Sequence, residues 1–258
     1  MNFEVCFLPR EATRQPSPIA VLIDVIRAST TIVTLLDRGA PEIVLVPGGD
    51  GARLAELRSR IVGAFVCAEE PSGIKAATAE LSPSPAALSG LDLEGRRVIL
   101  ATTNGTLAAA LLREAGVEHV LIGCMRNAAA VMRSAVTLAG RLDRGVSLVC
   151  AGREQCRISA LDDAYCAAAL LRHGEAFAQA AGTTATLLES AKIARHAAMA
   201  FAGAGEAFDQ SMSAAVVRRI GSPEDVDYCA QEDVSRVVPS VAFDTRDPAI
   251  VIRRDTRL

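Results

Sequence analysis

Three short polar clusters carry the residue types that chemistry on a small anion requires. The first is Asp24-Val25-Ile26-Arg27-Ala28-Ser29-Thr30-Thr31, directly after the apolar run Ile19–Ile23. A carboxylate at a strand end, beside the free N–H groups of a starting helix, suits a metal ion that bridges to a phosphate. The same residues also serve as a plain helix cap, with Asp24 bonded to the helix and Arg27 in solvent. The second is Thr102-Thr103-Asn104-Gly105-Thr106. Hydroxyl and amide groups around a glycine can gather backbone N–H groups into an anion nest, and the same pattern is common in Asn-Gly turns. The third is Ala151-Gly152-Arg153-Glu154, followed by Asp162-Asp163. Here Arg153 can pair with phosphate or carboxylate, and Glu154 can hold a metal ion or a water; a surface Arg–Glu pair is the alternative.

Several known chemistries are excluded by what stands beside these residues. A haloacid-dehalogenase phosphatase needs a second Asp two residues after the first, and position 26 is Ile. A Cys-x5-Arg phosphatase loop starting at Cys150 needs Arg at 156, which is Cys. No Gly-x4-Gly-Lys-Ser/Thr loop is present. The three histidines, His119, His173 and His196, are too scattered for a His-x3-His pair, and His119 at the head of an apolar strand reads as structural. The remaining donors are hard oxygens, which favour Mg²⁺ over Zn²⁺.

The elements that must position these clusters are short. Apolar, β-branched runs predict strands at Phe3–Leu8, Ile19–Val25, Glu42–Pro47, Ala64–Cys67, Val98–Ala101, His119–Ile122 and Val146–Cys150. Several are apolar on both faces, as strands covered on both sides must be. Helices are predicted at Ser29–Arg38, Thr106–Ala115 and Ala128–Leu142, each followed closely by a glycine. The alternation implies a three-layer α/β fold, its largely parallel or mixed sheet covered by helices on both faces. Parallel strands would place the C-terminal ends, and so all three clusters, along one sheet edge.

The second half turns helical and Ala-rich. Helices are expected at Asp163–Arg172, Ala185–Phe201 and near Asp209–Ile220, with a further short helical element within Ser222–Val238. A final edge strand is expected at Ala249–Arg253. Glu69–Gly95 shows no periodicity and reads as a long loop, either functional or disordered. Residues 1–258 are read as one α/β domain.

Composition narrows the partners. Half of the 258 residues are apolar, and 27 Lys and Arg against 30 Asp and Glu give a net charge of −3. That balance, with only two Tyr, seven Phe and no Trp, argues against nucleic-acid binding. Seven cysteines without a Cys-x-x-Cys pair read as buried thiols in a reducing compartment. No signal-like start and no apolar run near the length of a membrane span is seen, so a soluble, cytoplasmic protein is expected, without a membrane partner. The flat Ala-rich helical half is compatible with a homodimer.

Taken together, the clusters resemble the 2-phosphosulfolactate phosphatase family of coenzyme M biosynthesis in order and spacing. Leu121-Ile122-Gly123 before Asn127-Ala128, Asp162-Asp163 with Cys166, and Asp227-Tyr228-Cys229-Ala230 with Asp233 and Val237-Val238-Pro239 extend the resemblance over nearly the whole chain. It implies a Mg²⁺-dependent phosphomonoester hydrolase acting on 2-phosphosulfolactate or a related small phosphorylated acid. The catalytic carboxylates would be Asp24, Glu154 and Asp163, and the metal ligands Asp24, Glu69 and Glu154. Substrate would be held by Arg27, Ser29, Thr30, Thr103, Asn104, Gly105, Thr106, Gly152 and Arg153. The family commonly has Gly-Glu-Arg and Gly-Asn-Ser-Pro where this chain has Ala68-Glu69-Glu70 and Ser82-Pro83-Ser84-Pro85. Glu70 is therefore expected to narrow or redirect substrate choice. A non-catalytic binding protein for a phosphorylated or sulfonated acid would use the same anion holders.

Overall fold

The strand β2 (Ile19–Ile23) shows why the sheet is covered on both sides, since all five of its residues are buried. Ile19, Val21 and Ile23 face one apolar cluster, with Val131, Met132 and Leu170. Ala20 and Leu22 face another, with Leu35, Leu36 and Leu112. Alternating side chains thus fill two layers of helix packing from one strand. The computed structural model describes residues 1–14, 17–243 and 250–255. Its strands are β1 (Asn2–Cys6), β2, β3 (Ile43–Pro47), β4 (Phe65–Ala68), β5 (Val98–Thr102), β6 (His119–Gly123), β7 (Val146–Cys150), β8 (Thr186–Leu187), β9 (Pro239–Phe243) and β10 (Ile250–Arg254).

In chain order the first-half helices are α1 (Pro9–Ala12), α2 (Ala28–Asp37), α3 (Gly51–Arg60), α4 (Pro85–Leu88), α5 (Gly105–Glu114) and α6 (Ala128–Leu142). The Ala-rich half supplies α7 (Leu161–Ala180), α8 (Glu189–Ala198), α9 (Ala204–Asp209), α10 (Met212–Arg219) and α11 (Glu224–Ala230). Among the described residues no helix is long and apolar enough to cross a membrane. The three-layer α/β architecture expected from the sequence is the one observed.

All ten strands form a single mixed sheet, ordered β4-β5-β3-β10-β9-β6-β2-β7-β1-β8. It holds two parallel blocks, β4-β5-β3 and β6-β2-β7-β1-β8, with β9 and β10 between them. Three successive antiparallel pairings, β3 with β10, β10 with β9 and β9 with β6, set the two blocks in opposite senses. In a flat sheet the ends of β2 and β5 would therefore lie on opposite edges. Five steps separate them, and the usual twist of about 20–25° per step accumulates to more than a right angle. That rotation lets the end of β5 reach the end of β2, so the expectation of one shared parallel edge holds only for β2 and β7.

The C-terminal expectations need correction. Ala249 lies outside the described residues, and Ile250–Arg254 is no edge strand but pairs with both β3 and β9 inside the sheet. Within Ala185–Phe201 the chain first adds β8 beside β1, and only Glu189–Ala198 is helical. Asp209–Ile220 is interrupted: α9 ends at Asp209, and Ser211 caps α10 by accepting the Ala214 N–H at 3.0 Å. In Ser222–Val238 only α11 is helical, after which the chain leads into β9. The long loop after β4 is irregular apart from α4, as expected, and α3 is a helix that the periodicity analysis missed.

Candidate active site

Asp24 follows β2 and is buried between two helix starts. Its Oδ1 lies 3.4 Å from the Ala28 N–H donor at the head of α2, and the Gly105 N–H at the head of α5 also donates to its carboxylate. The approach of α5 depends on glycine, because a Cβ at 105 would stand 2.9 Å from Asp24 Oδ2 and 2.8 Å from the Ala28 Cβ. Burial pushes the Asp24 carboxyl up to about 7, the charges of Glu69 and Asp162 add to this, and the two N–H groups oppose it. Burial thus favours the protonated carboxyl, and a nearby cation would favour the ionised form instead.

Asp163, in the first turn of α7, joins two strand ends. Its Oδ1 accepts the Val25 N–H at 2.9 Å and its Oδ2 accepts the Gly152 N–H at 3.0 Å. Both oxygens thus hold the backbone that follows β2 and β7. Burial raises its pKa well above the carboxylate range, followed by repulsion from Asp162 and Asp24. Its neighbour Asp162 accepts the Ser213 hydroxyl from α10 at 3.0 Å on Oδ1. Burial lifts Asp162 to about 6, while its own N–H, Ser213 and the charge of Arg153 oppose the rise. The sequence named Asp24, Glu154 and Asp163 as the catalytic carboxylates; Asp162, which the Ser213 and Ser211 side chains both reach, lines the same cleft as Asp24 and Asp163.

The cleft between these groups is lined by Asp24, Arg27, Glu69, Asn104, Gly152, Arg153, Asp162 and Asp163, with Gly73, Ser213, Val216 and Val217 closing it. Four carboxylates therefore face two guanidinium groups. Arg27 is already committed: Nη1 donates to Asp225 at 3.0 Å, and Nη2 donates to Glu69 at 3.0 Å and to the Gly73 carbonyl at 2.9 Å. Asp225 itself accepts from the Ser84 hydroxyl at 2.7 Å and from the Ala86 N–H at 3.1 Å. Glu69 also accepts the Thr103 N–H, and burial keeps its pKa raised against the pull of Arg27. Arg153 has no hydrogen bond or ion pair from its side chain among the described residues, and it is the guanidinium left for a ligand.

Other residues named from the sequence are hydrogen-bonded within the fold or lie outside the cleft. Ser29 Oγ accepts the Asp24 N–H, while the Thr30 and Thr106 hydroxyls donate to the carbonyls of Val25 and Thr102. Asn104 Oδ1 accepts the Gln155 N–H at 3.0 Å, which ties the second cluster to the third. Glu154 is exposed and lies outside the pocket lining. It opens a run of three residues with positive φ, Glu154, Gln155 and Cys156, at 52°, 58° and 61°. Such left-handed residues cost roughly 1–2 kcal/mol each, here balanced by the Asn104 bond and by the Arg153–Ile158 backbone pairing at 2.7 Å. Gly152, at φ +68°, is required there because a Cβ would meet the Ile158 carbonyl at 2.5 Å. Glu70 is likewise exposed and does not line the cleft, whereas Glu69 does. Ser84, Ser213 and Asp225 were missed. They lie in a proline-rich loop and on Ala-rich helices, far along the chain, with no local pattern to mark them.

An α/β fold whose cleft sets one unpaired arginine among hard oxygen donors has groups that an enzyme of a small anionic substrate can use. The family model described as 2-phosphosulpholactate phosphatase matches residues 6–243. A Deinococcus radiodurans protein named probable 2-phosphosulfolactate phosphatase is 34% identical over 235 residues, 91% of this chain and 92% of its own. One of the same name from Thermus thermophilus is 32% identical over 244 residues, covering 93% and 94%, and one from Pseudothermotoga lettingae is 27% identical over 237, covering 92% and 94%. The chain belongs to the 2-phosphosulfolactate phosphatase family, and thereby to the phosphoric monoester hydrolases.

Proposed function

We propose that this chain hydrolyses 2-phosphosulfolactate, or a closely related small phosphorylated acid, in a Mg²⁺-dependent reaction that releases sulfolactate and phosphate. The observation that carries the Mg²⁺ part is the charge imbalance in the cleft, where Arg27 is neutralised within the protein and four carboxylates remain beside Arg153. No three of these carboxylates are among the groups that bring donor atoms within 4.8 Å of one another. Mg²⁺ commonly keeps several waters and takes one or two carboxylates together with substrate phosphate. Asp24 and Asp162 are the residues that would hold it. When bound, Mg²⁺ would supply positive charge to the phosphoryl oxygens.

The chain's own residues have definable parts. Arg153 grips the phosphate or the acid group of the substrate through its planar N–H fork. Asp162, oriented by Ser213, would help to orient the attacking water beside the ion that it holds with Asp24. Asp163 fixes the strand ends on which Asp24 and Arg153 stand. Val216 and Val217 on α10 narrow the cleft and limit its water. The setting we propose is the cytoplasm, where the seven free, buried cysteines stay reduced, and the step is one of coenzyme M biosynthesis. We propose also a homodimer through the Ala-rich helical half, where Ile193, Met199 and Met212 are exposed.

The test is release of phosphate from 2-phosphosulfolactate with and without Mg²⁺, for the native chain and for Asp24→Asn and Asp162→Asn. Both variants are expected to lose at least 100-fold in kcat/KM (about 2.7 kcal/mol or more) with unchanged circular dichroism. Turnover that is indifferent to Mg²⁺ would remove the metal from the reading. Substrate binding without any turnover would leave a binding protein.

A further inference from the structure

A second cluster of metal-binding groups lies away from the cleft. His173 near the middle of α7 meets Glu232 and Asp233, which follow α11. His173 Nε2 is 2.9 Å from Glu232 Oε1 and 3.2 Å from Asp233 Oδ2, and all three donor atoms lie within 4.8 Å of one another. One imidazole nitrogen faces two carboxylates here, and its single N–H cannot donate well to both. Adjacent ligand atoms around an ion with bonds near 2.0–2.1 Å stand about 3.3 Å apart in a tetrahedron, or about 2.9 Å apart in an octahedron. The two measured separations fall in that range.

The groups are also held in place from behind. The His173 ring stacks on Phe177, with centroids 6.5 Å apart and planes 24° from parallel. Asp233 uses its other oxygen, Oδ1, to accept the Ala129 N–H at 2.7 Å, at the head of α6. Asp233 itself sits at φ +55°, and its N–H donates to the Met125 carbonyl at 3.1 Å. Outer contacts of this kind orient metal ligands and lower the cost of assembling them. The competitor is Arg172, whose Nη2 donates to the same Glu232 oxygen, Oε1, that faces His173 and would have to give way to an ion. That pair is largely exposed on the Arg side, and such pairs are weak.

We propose that His173, Glu232 and Asp233 form a binding site for a borderline divalent transition-metal ion, with Zn²⁺ as its representative. The imidazole disfavours Mg²⁺ and Ca²⁺, which prefer all-oxygen sets. The carboxylates are about one-third exposed, so water can complete the coordination. The ion would clip the segment between α11 and β9 to α7, joining parts of the chain 59 residues apart. Its role is structural and separate from the hydrolysis, so this site and the reading of the cleft stand or fall independently.

The test is titration of the chelator-stripped full chain with ZnCl₂ in saturating MgCl₂, followed by calorimetry and by thermal unfolding. One equivalent of Zn²⁺ is expected to bind and to raise Tm by about 5–10 °C at a hundredfold excess over Kd. His173→Asn and Glu232→Gln should each weaken that binding at least tenfold and remove the Tm rise, while Mg²⁺-dependent phosphate release stays unchanged. The absence of a bound equivalent in the native chain would overturn the proposal. So would Zn²⁺ binding that is equal in the native chain and in either folded variant.

Discussion

At Gly105 a single methyl group decides whether the first two clusters can meet. Its Cβ would collide with the Ala28 Cβ at 2.8 Å and with Asp24 Oδ2 at 2.9 Å. Neither partner has a flexible end with which to retreat. Gly105 begins α5 without a positive φ, so helix propensity alone favours Ala there by up to about 1 kcal/mol. Gly105→Ala is nevertheless expected to lower stability by about 1–3 kcal/mol through overpacking and kcat/KM by at least tenfold through displaced Asp24. Urea unfolding and phosphate release measure the two effects, and a stabilised, fully active variant would contradict the close approach. Residues of this kind were legible in the sequence, because strand-end carboxylates and turn glycines carry local signatures. The direction of a hydroxyl was not. Thr30 and Thr106 have the right chemistry for an anion, yet both donate to backbone carbonyls inside the fold.

At the scale of elements, α11 reaches the site without touching the cleft. Its fully buried Asp225 joins Arg27 on the loop after β2 to Ser84 and Ala86 at α4. Asp225→Ala leaves a buried guanidinium with only Glu69 and the Gly73 carbonyl as partners, and removes the acceptor of the Ser84 O–H and the Ala86 N–H. Losing one member of a buried ion pair typically costs about 3–5 kcal/mol, so the midpoint of urea unfolding should fall sharply. A fall of under about 1 kcal/mol would mean that this network is not what holds Arg27. The departure Pro83 keeps its loop in place by another route, its carbonyl accepting the Thr31 hydroxyl at 2.9 Å. The sequence showed the early strands because their apolar runs are uninterrupted. It misplaced β10 because a short apolar run at the end of the chain carries no sign of which strands it will pair with, and here both partners, β3 and β9, are set by the fold. In the fold Arg253 pairs with Glu42 and Arg254 donates to the Leu36 carbonyl, both beyond the buried Ile250 and Ile252. β9 escaped because Pro239-Ser240-Val241-Ala242-Phe243 has little apolar alternation, and its pairing comes from strands far away in sequence.

For the whole molecule, the cleft is a store of unfavourable charge whose sign predicts how stability depends on pH. Burial lifts Asp24 to about 7 and Asp162 to about 6 and raises Asp163 and Glu69 as well, with repulsion from neighbouring carboxylates adding to it at Asp24 and Asp163. In the unfolded chain these groups ionise near 4. Between about pH 4 and 7 the folded protein therefore binds more protons than the unfolded one, and stability falls as pH rises. The contribution is complete below the unfolded values and is lost as pH passes the folded ones. For Asp24 alone the span from 3.8 to about 7 corresponds to something on the order of 4 kcal/mol. Asp24→Asn removes that group's titration and should flatten the Mg²⁺-free profile of stability between pH 5 and 8. Under the proposed reading, Mg²⁺ binds the ionised carboxylates, so its effect runs the other way. The rise in Tm on adding saturating Mg²⁺ should be small at pH 5, large at pH 8, and much reduced at pH 8 in Asp24→Asn. Thermal unfolding at fixed ionic strength across this range measures all three trends. A Mg²⁺ response of equal size at pH 5 and pH 8 would show that the cation does not compensate these buried charges. The balance of four carboxylates against one free arginine would then need another partner, such as a cationic group on the substrate itself.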